Sequence, residues 1–500
     1  MSSNTLAPAG RLFRFFPAFS LSLRLAIALP PEPCLFLIYI KFIFLKRGDF
    51  SLNGVIEEIF KRYDVRGLYP GQLNDGIAYR AGRAFVQRFK PKTLAVGRDC
   101  RLGSEPLSKA FIKGAIGQGA DITDIGLVST DMIYFAVGKY GFDAGCMVTA
   151  SHNPREWAGF KFCGKGATGI SSENGLWDVR DLVASGKFEK PVKKGKLLQM
   201  DVLSDYTEKC LSLVDAKKIK PLKVVVDASN GMAAKTLSAI EARLPVKIVK
   251  VFFEVDGNFP GHEPNPLNPE NVEALKKRVL EEKADLGAIF DGDGDRMLMV
   301  DEKGNPVNGS MLTCLIASSL LKKSPGSKIL YTPVMSKAVP ETIGENGGIP
   351  VLERVGHSFI KQRMRKENVL FGGEHSGHFY FRENYFADSG LIAWLVALEA
   401  ISESGKKFSF LINPFRKYCA IDETNSDVRG KSAKLAEIEK IYAPKAEKTS
   451  KLDGFSAYFK GWWFNVRPSG TEDKLRLNLE ADSRELMEAK KGELLKTIRA

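Results

Sequence analysis

Cysteine, histidine and uninterrupted apolar runs are all scarce in this 500-residue chain. Its seven cysteines, at 34, 100, 146, 163, 210, 314 and 419, form no C-x-x-C pair. Their odd number argues against a complete disulfide framework, so a reducing, cytoplasmic compartment fits best. No long basic run accompanies the formal charge of +14, and lysines are scattered among acids. A nucleic-acid tract is therefore not indicated, and a solvated Lys-rich surface or a site for small phosphorylated ligands explains the charge. The apolar run 34–45 contains Lys41 and falls short of the roughly 20 residues a membrane span needs, so no stable span is expected. There is no low-complexity tract, and no methionine between Met1 and Met132.

The first 50 residues differ in composition from the rest. Arg11, Arg14 and Arg24 precede the first acid, Glu32, and Pro30, Pro31 and Pro33 break the apolar stretch. This 1–50 extension reads as lying outside the catalytic fold. Three readings of it stay open: a transit peptide, an interfacial anchor, or translated upstream sequence that would need a non-Met start codon.

What is present points to a multidomain α/β protein. A 44% hydrophobic and 26% charged composition over this length suits roughly three or four domains. Short β-branched runs at 93–96, 144–149, 222–227, 286–290, 328–332 and 369–371 alternate with helical periodicity at 271–283 and 311–322, which favours parallel α/β layers. The end changes character: strands at 455–459, 462–466 and 475–480 precede a helix at 483–498, an α+β unit. Breakers place boundaries near 205, 305 and 412, giving units 51–205, 206–305, 306–412 and 413–500.

Four motifs could carry chemistry. In Thr149-Ala150-Ser151-His152-Asn153-Pro154 a hydroxyl stands at a strand end before an Asn-Pro break, placed to project into a cleft and attack phosphorus, with Lys161 nearby as a cation. Asp291-Gly292-Asp293-Gly294-Asp295-Arg296 puts three carboxylates in a glycine-permitted turn, which suits a hard divalent ion such as Mg2+, with Arg296 available for phosphate. An EF-hand is rejected there, since Arg296 stands where that loop requires glycine. Gly372-Gly373-Glu374-His375-Ser376-Gly377-His378 offers a carboxylate and a hydroxyl two residues apart for adjacent sugar hydroxyls. Its paired histidines would fit a transition metal, but no cysteine or third histidine stands at ligand spacing. Arg467-Pro468-Ser469-Gly470-Thr471-Glu472 supplies a bidentate cation, two hydroxyls and amides for an anion. As an isolated string, each motif also fits an ordinary polar turn.

Together with Tyr63-Asp64-Val65-Arg66-Gly67, and in this order, the motifs resemble the α-D-phosphohexomutase family from about Asn53 to the C-terminus. The resemblance implies four domains around a cleft: a phosphoserine domain (51–205), a metal-binding domain (206–305), a sugar-binding domain (306–412) and a C-terminal α+β phosphate-binding domain (413–500). It implies Ser151 as phosphoserine and, with Asp291, Asp293 and Asp295, as a ligand of one Mg2+ per site. Glu374 and Ser376 would select the sugar, and Arg467, Ser469, Gly470 and Thr471 would hold the distal phosphate. Arg66, His152, Lys161, Arg296 and His357 match positions used near the reacting phosphate or the sugar, Tyr63 a substrate contact, and Lys161 and His357 serve as acid/base candidates. Ala158 departs from the asparagine common before Gly-x-Lys. The activity implied is interconversion of hexose 6-phosphate and hexose 1-phosphate, with hexose 1,6-bisphosphate as activator. The stretch 372–390 looks most like phosphomannomutases; glucose and glucosamine phosphates, a phosphosugar phosphatase, or a non-catalytic phosphosugar-binding protein are the alternatives. Oligomeric state is left open.

Overall fold

The computed structural model describes residues 52–421, 423–469 and 473–500. The 1–50 extension, Gly470 and Thr471 lie outside the described residues.

Three sheets share one plan. In the first, Asp121–Leu127, Thr93–Arg98 and Ala144–Val148 run parallel as neighbours, and Trp157–Gly164 then pairs antiparallel with Ala144–Val148. The second repeats this with Val246–Val251, Leu222–Asp227 and Leu286–Phe290, followed by antiparallel Met297–Asp301. In the third, Ile349–Leu352, Lys328–Tyr331 and Phe371–Gly373 are followed by antiparallel Phe379–Phe381. The layers are thus mixed rather than parallel as the sequence pattern suggested. The loops 149–156, 291–296 and 374–378 force this, because a parallel return takes a crossover of about a dozen residues or more. Ala144–Val148 and Leu286–Phe290 are buried at every position, as expected of strands covered on both faces.

The strand expected at 369–371 runs instead from Phe371 to Gly373, since Phe371 and Gly372 pair with Ile329 and Leu330. Glu374 therefore follows the strand directly. The fourth sheet is antiparallel around Trp462–Pro468 and Lys474–Ala481. Helices Lys431–Tyr442 and Arg484–Arg499 cover it through Tyr442, Leu494 and Ile498, packed with Phe455 and Phe464. Among the described residues no helix is long and apolar enough to cross a membrane, and the six described cysteines are free.

A buried polar joint ties these units together. Asp131, in the first turn of helix Thr130–Tyr140, accepts hydrogen bonds from Ser129, from Tyr206 and, at 2.7 Å, from Ser389 Oγ, the cap of helix Gly390–Ser404. Burial lifts its pKa to about 7. The folded state thus favours the neutral acid, whereas an unfolded chain ionises it near pH 4. The joint's stabilising effect is complete below pH 4 and is lost as pH rises through 7, by up to about 4 kcal/mol. Replacing Asp131 with Asn is expected to flatten the decline in melting temperature between pH 5 and pH 8; equal slopes in variant and parent would refute this.

Candidate active site

The three short loops that turn each sheet antiparallel carry the first three motifs, so chemistry-bearing residues recur at one place in the repeated plan. Loop 291–296 holds Asp291, Asp293 and Asp295, each fully buried or nearly so. One ligand atom from each lies within 4.8 Å of the others. Burial and its two neighbours push Asp291 well above the usual carboxylate range. Burial acts on Asp293 in the same sense, but the Lys161 ammonium outweighs it and holds that carboxyl below its ordinary value. Asp293 Oδ1 and Asp295 Oδ1 are buried without hydrogen-bond partners. Clustered acceptors of that kind, hard and oxygen-only, fit a divalent metal ion.

Ser151 lies against this cluster. Its Oγ donates to Asp291 Oδ2 at 2.9 Å, and His152 Nδ1 stands 3.4 Å from the same Oγ. The serine is fully buried with φ +54°, a left-handed conformation that costs a non-glycine residue roughly 1–2 kcal/mol and points to imposed positioning. Arg101 imposes it. This buried guanidinium donates to the carbonyls of Ser151 (2.6 Å), Asn153 (2.6 Å), Pro154 (2.7 Å) and Trp157 (3.2 Å), and pairs with Asp99 at 3.3 Å. Gly292 is required where it stands, since a Cβ there would lie 2.7 Å from the Ser151 carbonyl oxygen.

Cations close the site. Lys161 Nζ reaches Asp293 Oδ2 at 2.7 Å and Asp295 Oδ2 at 2.6 Å; burial alone would lower its pKa, but the three aspartates raise it well above the usual lysine value. Thr130 and Thr149 also donate to Asp293. Arg66 pairs with Asp64 at 2.7 Å and donates to Asn153 of the serine loop. Arg296 Nε donates to His378 Nε2 at 2.9 Å, which leaves Nδ1 as the protonated nitrogen, 2.9 Å from Asp388 Oδ2. Asp388 Oδ1 in turn lies 2.7 Å from Lys361 Nζ, an ion pair by distance although its angle falls outside hydrogen-bond geometry. Asp295, His378 and Asp388 also converge closely enough for a metal, but Arg296 and Lys361 already engage the latter two. Burial, then Arg296 and Arg66, hold His152 well below the ordinary histidine pKa.

The sugar and phosphate candidates make contacts of their own. Tyr63 and His357 meet edge-on at 5.8 Å, and Tyr63 OH donates to Val355 O. Both His357 nitrogens are buried without partners, and burial reinforced by Lys361 keeps the ring neutral at pH 7. Glu374 is buried and accepts from Tyr380 OH at 2.5 Å, whereas Ser376 is half-buried. Arg467 belongs to the C-terminal sheet, and among the described residues it donates to Glu423 at 2.9 Å. Ser469 is buried, its amide donating to Lys474 O.

Sequence reasoning passed over Arg101, Thr130, Lys361 and Glu423, and quoted His378 and Asp388 without assigning either a place in the site. A usable signal existed for Arg101, an arginine two residues beyond Asp99 at the end of an apolar strand.

A buried hydroxyl held against one of three clustered carboxylates, with fixed cations around them on a triply repeated α/β plan, suits an enzyme that transfers a charged group and could hold a metal ion. Profiles described as phosphoglucomutase/phosphomannomutase alpha/beta/alpha domains I, II and III match residues 57–188, 204–304 and 308–418, and the C-terminal domain profile matches 423–496. A phosphomannomutase of Salmonella montevideo is 40% identical over 449 residues, 88% of this chain and 98% of that protein. A Xanthomonas campestris protein named "Phosphohexose mutases" is 40% identical over 422 residues, 84% and 94% of the respective chains. The crystal structure of a phosphoglucomutase/phosphomannomutase family protein from Burkholderia thailandensis superposes with TM-score 0.81 at 29% identity, covering 90% of this chain and 98% of that one. The chain belongs to the phosphoglucomutase/phosphomannomutase family of α-D-phosphohexomutases.

Changing Arg101 to Leu would leave Asp99 buried without its cation and free the serine loop. Urea denaturation is expected to show a loss of about 3–5 kcal/mol; a loss under 1 kcal/mol would show that Arg101 does not hold the loop.

Proposed function

We infer that this phosphohexomutase, an isomerase, interconverts mannose 6-phosphate and mannose 1-phosphate through phospho-Ser151. The observation that carries the reading is the 2.9 Å contact between Ser151 Oγ and Asp291 within a cluster of three carboxylates. The relatives named phosphomannomutase support mannose as the sugar. Asp291, Asp293 and Asp295, with a phosphate oxygen on Ser151, would hold one Mg2+. When bound, the ion would offset charge on the phosphoryl oxygens.

The chain's own groups account for the rest. The phosphoserine P–O bond breaks as a hexose hydroxyl oxygen bonds to phosphorus, making hexose 1,6-bisphosphate and leaving Ser151 Oγ to accept a proton. After the bisphosphate reorients, its other phosphoryl group returns to Ser151; added bisphosphate acts as activator by phosphorylating the serine. Lys161 is held as a cation by its aspartates, so it stabilises developing negative charge rather than acting as base, together with Arg66 and Arg296. Neutral His357, with unengaged ring nitrogens, suits the transfer of the sugar hydroxyl proton. Glu374 and Ser376 would read the sugar hydroxyls, with Tyr63 beside them, and Arg467, Ser469, Gly470 and Thr471 would grip the phosphate that is not reacting. These parts divide among the units 51–205, 206–305, 306–412 and 413–500. The free cysteines accord with a cytoplasmic location.

Ser151→Ala is expected to lower mannose 1-phosphate isomerisation about ten-thousand-fold or more in the presence of the bisphosphate. Undiminished turnover would refute the nucleophile. Comparing kcat/KM for mannose, glucose and glucosamine phosphates tests the sugar, and mannose is expected to rank first.

A further inference from the structure

His262 lies outside every motif read from the sequence, and its ring is engaged on both sides. Nε2 stands 3.1 Å from Asp227 Oδ2, and Nδ1 stands 2.7 Å from the carbonyl oxygen of Glu263. Both partners accept and neither donates, so both interactions are satisfied only when each ring nitrogen carries a proton. Burial works against that charge, but the bond to Asp227 outweighs it and raises the pKa above the ordinary histidine value. The Asp227 side chain is fully buried, and the His262 side chain is 10% exposed. Removing one partner of an ion pair with that little access to water leaves the other charge buried and uncompensated.

The pair joins two chain segments that converge on one residue of the aspartate loop. One arm is the turn after strand Leu222–Asp227. Asp227 Oδ1 accepts the Ser229 amide at 2.8 Å, and Ser229 Oγ donates to Phe290 O at 2.5 Å. Ser229 and Asn230 both adopt left-handed φ, at +51° and +52°. The turn ends on Gly231, where a Cβ would stand 2.5 Å from Gly292 O, and on Met232, whose amide donates to that same oxygen at 3.0 Å. The other arm is the segment carrying His262. Its Gly261 amide donates to Asn230 Oδ1 at 3.1 Å, and Pro264 Cβ lies 3.2 Å from the position a Gly292 Cβ would take. Gly292 separates Asp291 from Asp293, and its third neighbour is the Ser151 carbonyl.

We propose that His262 is a positioning residue for the metal site: paired with Asp227, it clamps the 228–232 turn and the 261–264 segment onto Gly292, and so sets the spacing of Asp291 and Asp293. The proposal rests on the reading of the three aspartates as the divalent-cation site. Without the clamp the loop's own repulsion spreads the carboxylates, and the free energy of gathering them again is drawn from cation binding. Residues supporting metal ligands from outside typically change affinity about 10–100-fold. His262 acts one contact further away, so a change near the bottom of that range is expected.

The test is Mn2+ binding to the purified full-length protein, followed by the electron paramagnetic resonance signal of free Mn2+, alongside the melting temperature. Parent protein, Asp293→Asn, His262→Phe and His262→Gln are compared. Parent is expected to bind and Asp293→Asn to bind far more weakly. His262→Phe is expected to raise the dissociation constant roughly tenfold, and His262→Gln, which keeps one donor, by a smaller factor. In turnover, excess Mg2+ should restore kcat of both His262 variants while KM for the sugar phosphate stays at the parent value, a split that general destabilisation would not produce. If His262→Phe does not fold, His262→Gln decides by the same two readouts. Parent-like Mn2+ affinity in the folded His262 variants, with Asp293→Asn impaired, would overturn the clamp and leave the metal site standing. Equal binding by parent and Asp293→Asn would overturn the metal site and the clamp together.

Discussion

Repulsion among Asp291, Asp293 and Asp295 has to be offset from outside their loop, because the loop's own Arg296 approaches only Asp291, and only to 3.7 Å. Two like charges 4 Å apart in partly screened surroundings cost on the order of 4 kcal/mol, and here three carboxyl groups stand together in a buried loop. The compensating groups come from elsewhere. Lys161 and Thr130 reach in from the first unit, and Ser151 donates to Asp291. His378 of the third unit orients Arg296. The same contacts that make the cluster tolerable therefore fasten three units to one another and bring the serine hydroxyl to the carboxylates.

That arrangement depends on the repeated plan of the first three sheets. Each short connection from the last parallel strand to the antiparallel one sets its residues at the carboxyl end of a buried strand. The fold thus places Ser151, the three aspartates and Glu374 at equivalent positions of successive units. A strand end is also where rigidity is greatest next to solvent, which suits groups that must meet a phosphosugar in fixed geometry. Arg101 shows how strongly this is enforced: a whole guanidinium is spent on four backbone carbonyls so that Ser151 can keep a left-handed conformation.

The motifs were legible because each is local. Asp291 to Arg296 are consecutive, and their chemistry needs only their own spacing. Strand positions were equally legible where apolar runs were unbroken, as at 144–148 and 286–290. The antiparallel returns were not, since the apolar pattern of Met297–Asp301 is the same in either direction and only the short loop before it decides. Nor were the supports. Thr130 meets Asp293, Arg101 meets Ser151, and His262 meets Asp227 across long stretches of chain, and nothing in their immediate neighbours announces the partner. Arg467 was legible as a candidate anion ligand, but its pairing with Glu423 is a tertiary fact. In the proposed reaction, a phosphate held by Arg467 would compete with the Glu423 carboxylate.

In the proposed reaction every phosphoryl group passes through Ser151 Oγ. Incubating the protein with phosphorus-radiolabelled hexose 1,6-bisphosphate and mapping the labelled peptide by mass spectrometry tests it most directly. The label is predicted on the peptide containing Ser151, and it should pass to sugar when unlabelled hexose 6-phosphate is added. Label on another residue, or label released from the protein only as inorganic phosphate, would contradict the account.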